Sequence, residues 1–112
     1  MTSIEAIIRP SSLDAAIEAL DHAWIQGITV DEVKRYGCQE RPAARHRGAG
    51  YDLDMDPELK VQVVVPDPLV PRVLHDLGHA LRGGECGDGK IFVSRVEEAV
   101  RVRTGERGEA AL

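Results

Sequence analysis

Residues 37–57 read Gly37-Cys-Gln-Glu-Arg-Pro-Ala-Ala-Arg-His-Arg-Gly-Ala-Gly-Tyr-Asp-Leu-Asp-Met-Asp-Pro57. The stretch has no helical apolar period and a bare trace of alternation at its end. Both flanks are extended in pattern: Ile28–Tyr36 before it and Leu59–Val65 after it, each rich in β-branched residues. A structureless connection of this length between two strands is uncommon in a compact domain and is usually functional or disordered. Its charges are sorted. Arg41, Arg45 and Arg47 occupy the first half; Asp52, Asp54 and Asp56, followed by Glu58, occupy the second. Between them Arg47-Gly-Ala-Gly-Tyr51 leads two glycines to a lone tyrosine. Two readings follow, a solvated surface insertion or a mobile recognition arm with Tyr51 near its tip.

The chain around this stretch has 112 residues, the size of one domain. Aromatic residues make up 4%, so the core must be aliphatic. A net charge of −5 does not favour bulk nucleic-acid binding. No apolar run approaches the roughly 20 residues of a membrane span. The first residues enter a strand pattern without a signal peptide. Two cysteines, Cys38 and Cys86, are too few for a disulfide scaffold. A cytoplasmic location is the expectation.

Ser3–Arg9 reads as a strand closed by Pro10. Ser11 or Ser12 is placed to cap a helix whose stripe is Leu13, Ala16, Ile17 and Leu20. Gly27 precedes the second strand, and the third follows the long stretch. Asp67-Pro68 opens a second helix, with Asp67 as its expected cap and a stripe through Val73, Leu74, Leu77 and Leu81. Gly83-Gly84 ends it. A glycine-rich turn leads to a fourth strand, Lys90–Val93, and Ala99–Thr104 is short and alternating. The order is βαββαβ, an α+β split βαβ arrangement. Two helices cover one sheet face. Apolar residues on both phases of the third strand predict that the second face is covered by oligomerisation.

Three places could carry chemistry. Gly84–Lys90 fits G-x-x-x-x-G-K, but Ile91 stands where a P-loop needs Ser or Thr, and a strand follows instead of a helix. A P-loop is rejected. The glycines at 87 and 89 still leave backbone N–H groups free to face an anion, with Lys90 adding charge. Arg101 and Arg103, at i and i+2 on an extended segment, would point to one side and form a fork for phosphate oxygens. The alternatives are an ordinary helix-to-strand turn and a polar strand face. His75 and His79 have the i, i+4 spacing of a metal pair, without an evident third ligand.

Taken together, the chain resembles the PII signal-transduction (nitrogen regulatory) family over essentially its whole length. The resemblance rests on Ile4-Glu-Ala-Ile-Ile8 with Pro10, Thr29-Val30, Gly37 with Gln39, Arg47-Gly-Ala49 with Tyr51, Gly87-Asp-Gly-Lys-Ile-Phe92 and Val100-Arg-Val-Arg-Thr-Gly105. It implies a ferredoxin-like homotrimer with ATP or ADP in clefts between subunits. By that resemblance Gly87, Gly89 and Lys90 of one subunit and Arg101 and Arg103 of its neighbour hold the phosphates, with Asp88 among the nucleotide-binding positions. Thr29, Gly37 and Val64 fall around adenine and ribose, and Cys38 falls among the nucleotide-binding positions. Gln39 matches the residue that ligates magnesium together with 2-oxoglutarate. Residues 37–57 correspond to the partner-binding loop, Arg47 to the residue that enters the pore of an ammonium transporter, and Tyr51 to the tyrosine that is nucleotidylylated.

The departures cluster. Cys38, Glu40, Glu58 and Glu85 stand where the resemblance would put Arg, Lys, Lys and Lys. His46, Gly50, Gln62, Gly83 and Trp24 also depart, the last where glycine is common. The phosphate grip is retained while the effector half of the site has lost its cations, so magnesium remains possible and 2-oxoglutarate doubtful. The implied function is a non-enzymatic adenine-nucleotide sensor, cytoplasmic and free of nucleic acid. It would control a nitrogen-related transporter or enzyme through residues 37–57. Alternatives are a sensor of another small anion outside nitrogen control, a metal-binding trimer of the same fold through His75 and His79, or an acylphosphatase-like enzyme.

Overall fold

The computed structural model describes residues 1–36, 55–82 and 89–112. Four strands, β1 (Thr2–Ile8), β2 (Thr29–Tyr36), β3 (Met55–Val65) and β4 (Lys90–Arg95), form one antiparallel sheet in the order β2-β3-β1-β4. Helices α1 (Leu13–His22) and α2 (Val70–Ala80) follow β1 and β3. This is the expected ferredoxin-like βαββαβ arrangement. No helix of the described residues is long and apolar enough to cross a membrane.

The core lies between the helices and one sheet face. Ile4, Ala6 and Ile8 of β1 alternate with Val61, Val63 and Val65 of β3, all buried. They pack in one cluster with Ala16, Ala19, Leu20 and Ala23 around α1 and with Val73 and Leu77 of α2. The buried stripe of α1 is rotated from the expected one. Ile17 is exposed and Ala19 is buried, because small alanines let α1 lie close to the sheet. Ser12 stands at the N-cap position of α1 as expected, whereas Leu69 and not Asp67 stands at that of α2. Each helix is entered through a 3-10 turn, Pro10–Ser12 and Asp67–Leu69, without a side-chain cap bond. The Asp67 carboxylate instead accepts a 2.7 Å bond from the Thr2 hydroxyl and lies 3.2 Å from the Met1 amino group.

Three further expectations are corrected. Strand β3 begins at Met55, so residues 55–57 belong to the sheet and not to the long connection, and Glu58 lies inside β3. They pair in register with Lys34–Tyr36. Pro57 is tolerated there because β1 ends opposite Leu59. Beyond that point β3 has a neighbour on one side, and an N–H facing the other side has no ladder bond to lose. Second, Ala99–Thr104 is not a strand. The Gly105 N–H donates to the Arg101 carbonyl (2.7 Å) and the Arg101 N–H to the Glu106 carbonyl (2.8 Å), closing a tight turn with a single bridge between Val100 and Arg107. Third, Arg101 and Arg103 therefore do not share one side of an extended segment.

At the end of α1, Trp24 has φ +60° while its N–H donates to the Asp21 carbonyl (2.9 Å) and that of Ile25 to Leu20 (3.2 Å). This left-handed exit from a helix favours glycine, which explains why a tryptophan there is a departure. The indole is 88% exposed and contributes little packing in return.

Candidate functional site

Among the described residues that the sequence singles out, the sheet face away from the helices carries Thr29 and Val64. Register puts Thr29 of β2 opposite Gln62 of β3, and Gln62 opposite Glu5 of β1. Val64 stands one row further along the same face. Thr29, Gln62 and Val64 line a cleft of about 280 Å³ with Gln26, Gly27, Val63, Ala111 and Leu112. Gln62 Nε2 donates to Ser3 Oγ at 3.1 Å, which steadies the wall.

Arg101 belongs to this side of the molecule. Its Nη2 donates to the main-chain oxygen of Leu112 at 2.9 Å, and its Nε lies 3.8 Å from Glu106 Oε1. Leu112 is a wall of the cleft, so Arg101 stands one bond from it. Arg103 sits in the exposed turn and makes no hydrogen bond or ion pair among the described residues. The two guanidiniums are thus held differently, one tied to the tail and one free to reach outward.

Gly89 and Lys90 lie at the other edge of the sheet. Gly89 has φ +108°, and a Cβ there would stand 2.8 Å from the Ile7 carbonyl oxygen. Glycine is required by both conformation and space. It lets the chain enter β4 against β1, where Lys90 pairs with Ile7 and is exposed. Strands β2 and β4 are three strand spacings apart, about 14 Å. The structure therefore sorts the described part of the expected set into two groups. Thr29 on the edge strand β2, Val64 on the inner strand β3 and Arg101 gather around one cleft; Gly89 and Lys90 stand at the opposite edge. Gly37, Cys38, Gln39, Arg47, Tyr51, Gly87 and Asp88 lie outside the described residues, as do Glu40 and Glu85.

Glu58, which stands where the resemblance would put a lysine, has a cationic partner in the fold. It is buried on β3, with its side chain 4% exposed, and its Oε1 lies 2.7 Å from Arg35 Nε on β2. The N–H is not aligned for a hydrogen bond, so the contact is an ion pair, and Glu58 Oε2 has no hydrogen-bond partner. Sequence reasoning missed Arg35. The signal was there: with β2 and β3 paired, Val33 faces Glu58 and Arg35 faces Asp56, so Arg35 and Glu58 are diagonal neighbours on one face. The contact of Leu112 with Arg101 had no such signal, since it depends on how the tail folds back.

The family model of "Nitrogen regulatory protein P-II" matches residues 1–106. The chain belongs to the P-II family. It is 48% identical over 112 residues to a nitrogen regulatory protein P-II of Bradyrhizobium diazoefficiens, 48% to one of Azospirillum brasilense and 47% to one of Rhodospirillum rubrum, each covering the whole of both chains. The P-II resemblance read from the motifs is thereby shown, and with it the ferredoxin-like α+β fold.

His75 and His79 lie on α2, turned away from the sheet. They border a groove of about 490 Å³ between the two helices, separate from the cleft at Thr29.

Proposed function

We propose that this P-II protein is a homotrimeric adenine-nucleotide sensor, a regulator and not an enzyme. In this reading it acts on a nitrogen-related transporter or enzyme through residues 37–57. The observation that carries the reading is the division of the candidate site. Thr29, Val64 and Arg101 stand around the cleft on the β2 side of the sheet, and Gly89 and Lys90 at the opposite, β4 edge. A nucleotide gripped by both groups needs the edges of two copies brought together, as a head-to-tail ring does. Adenine would sit against Thr29 and Val64, and the phosphates between Lys90 of one copy and Arg101 and Arg103 of the next.

The Arg35–Glu58 ion pair supports a weak response to 2-oxoglutarate. Glu58 replaces a cation expected to meet a carboxylate, and Arg35 is already engaged. ADP should bind at least as tightly as ATP, because the β-phosphate keeps its cations while the γ-phosphate would lie near Cys38 and Glu85. Magnesium, through Gln39, belongs to the same reading.

A mixed-trimer experiment tests it. Lys90→Ala and Arg103→Ala should each weaken ADP binding about tenfold or more in calorimetry, since charge-assisted bonds are worth ~1.5–3 kcal/mol each. When the two variants are unfolded and refolded together, about a quarter of the clefts combine an intact Lys90 with an intact Arg103, and tight binding returns in that fraction. No recovery on mixing, with both single variants defective, would place the whole site within one protomer. ATP, ADP and AMP, each with and without magnesium and 2-oxoglutarate, complete the series, and no ATP turnover is expected.

A further inference from the structure

The groove between α1 and α2 faces away from the sheet and takes no part in the nucleotide reading. Its lining includes Ala15, Ala19 and Ala80, and residues that can ligate a metal stand around them: Glu18, His22, His75, Asp76 and His79. Glu18 and His22 are spaced i, i+4 on α1, and His75 and His79 are spaced i, i+4 on α2. Each pair therefore lies on one face of its own helix, and both pairs border one groove. Sites of this kind, with ligands from two facing helices, are how helix pairs hold metal ions. The alanines leave room between the walls.

The two α2 imidazoles are already parallel, with centroids 6.5 Å apart and planes within 4°. His75 Nδ1 lies 3.2 Å from Asp76 Oδ1. A carboxylate on Nδ1 directs the proton there and leaves Nε2 as the ligating nitrogen, the usual orientation of a metal-bound histidine. Arg72 would repel a cation, but its Nε lies 3.4 Å from the second oxygen of Asp76. Among the described residues no three of these groups yet lie within reach of one ion. His75 is 81% exposed and His22 and His79 are exposed, so the rings are free to turn.

We propose that this groove binds one borderline divalent ion, of the Zn²⁺, Cu²⁺ or Ni²⁺ class, through His22, His75 and His79 with Glu18 as the fourth ligand. Three imidazoles and one carboxylate suit that class and not Mg²⁺. Binding staples α1 to α2 on the outer surface. It is independent of the nucleotide reading and survives if that reading fails.

The test uses the full chain with Cys38→Ser and Cys86→Ser, so that thiols do not report. Zn²⁺ is titrated at neutral pH by calorimetry, with histidine ring resonances followed by NMR. One ion per protomer is expected to saturate at micromolar concentration and to shift His22, His75 and His79 together. The fourth histidine, His46, serves as the internal control. His22→Ala and the double variant His75→Ala/His79→Ala should each weaken binding at least about tenfold, and Asp76→Asn about tenfold. An equal excess of Mg²⁺ should shift none of these rings. No saturable binding up to about 1 mM Zn²⁺ overturns the proposal. So does unchanged affinity in His22→Ala or in the double variant, or a shift confined to His46.

Discussion

Reversing the charge of Glu58 separates the consequences of its sequence position from those of its surroundings. The Glu58 side chain is 4% exposed and pairs at 2.7 Å with Arg35, whose side chain is 27% exposed. Two unit charges about 4 Å apart at an effective dielectric near 20 interact by ~4 kcal/mol before screening and desolvation. Glu58→Lys converts that attraction into repulsion. Because Arg35 reaches water and a lysine can extend its ammonium outward, the net cost should fall at the lower end of the range for breaking a buried pair, about 3 kcal/mol. For a chain of this size that lowers Tm by roughly 10 °C. Urea unfolding of the wild type, Glu58→Lys, Arg35→Glu and the double variant forms a cycle. The exchanged pair should regain about 2 kcal/mol of coupling. The loss in Glu58→Lys should persist in ~1 M salt, since a buried pair is poorly screened. A loss below about 0.5 kcal/mol, or no coupling in the cycle, would refute the pair as a structural element. The same variant bears on the effector. With two cations left facing each other, a dicarboxylate gains a site, so 2-oxoglutarate should raise the Tm of Glu58→Lys more than that of the wild type. An equal shift in both proteins would refute that extension.

Other expectations rest on separate features. Trp24→Gly should stabilise the fold by about 1 kcal/mol, because it relieves a left-handed φ without losing packing, and a lower Tm would contradict this. Gly89→Ala should destabilise by about 2 kcal/mol or more, since the methyl group meets the Ile7 carbonyl at a positive φ; a stability within 0.5 kcal/mol of wild type, as an order of magnitude, would show that β4 can shift away. The Thr2 hydroxyl, and then the Met1 amino group, hold the Asp67 carboxyl below its ordinary value of 3.8. A depressed value in the folded state means that this contribution is complete above about pH 4 and is lost as pH falls through the folded value. Thr2→Val should therefore flatten the acid limb of stability against pH and leave the neutral region little changed beyond the lost hydroxyl bond. An unaltered acid limb would remove Asp67 from that account.

Local pattern was enough for the order of elements and the family. The alternation of β1 and β3, the aliphatic composition and the glycine punctuation at Gly27 and Gly83 all act within a few residues of themselves. Glycine punctuation also marked Gly89, and the resemblance marked Trp24 as an exception; both positions have a backbone reason in the fold. The ends of elements were less legible. The first residues of β3 look like loop because Asp56 and Pro57 are poor strand formers, yet pairing with β2 overrides that propensity. The alternation of Val100–Arg103 looks like strand, yet Gly105 folds it into a turn that no period of two reveals.

What the sequence by itself determined is the βαββαβ order and the family, because these depend on residue type and short spacing. The tertiary structure decided which of them stand together. Register put Arg35 beside Glu58 and made that carboxylate half of an ion pair. Sheet order set Thr29 and Lys90 at opposite edges. The packing of α1 on α2 brought His22 to the groove of His75 and His79 across some 50 residues of chain. The physical reason is the same in each case: charge pairing, strand order and helix contact act through space between residues distant in the chain, and no local period encodes the separation that remains after folding.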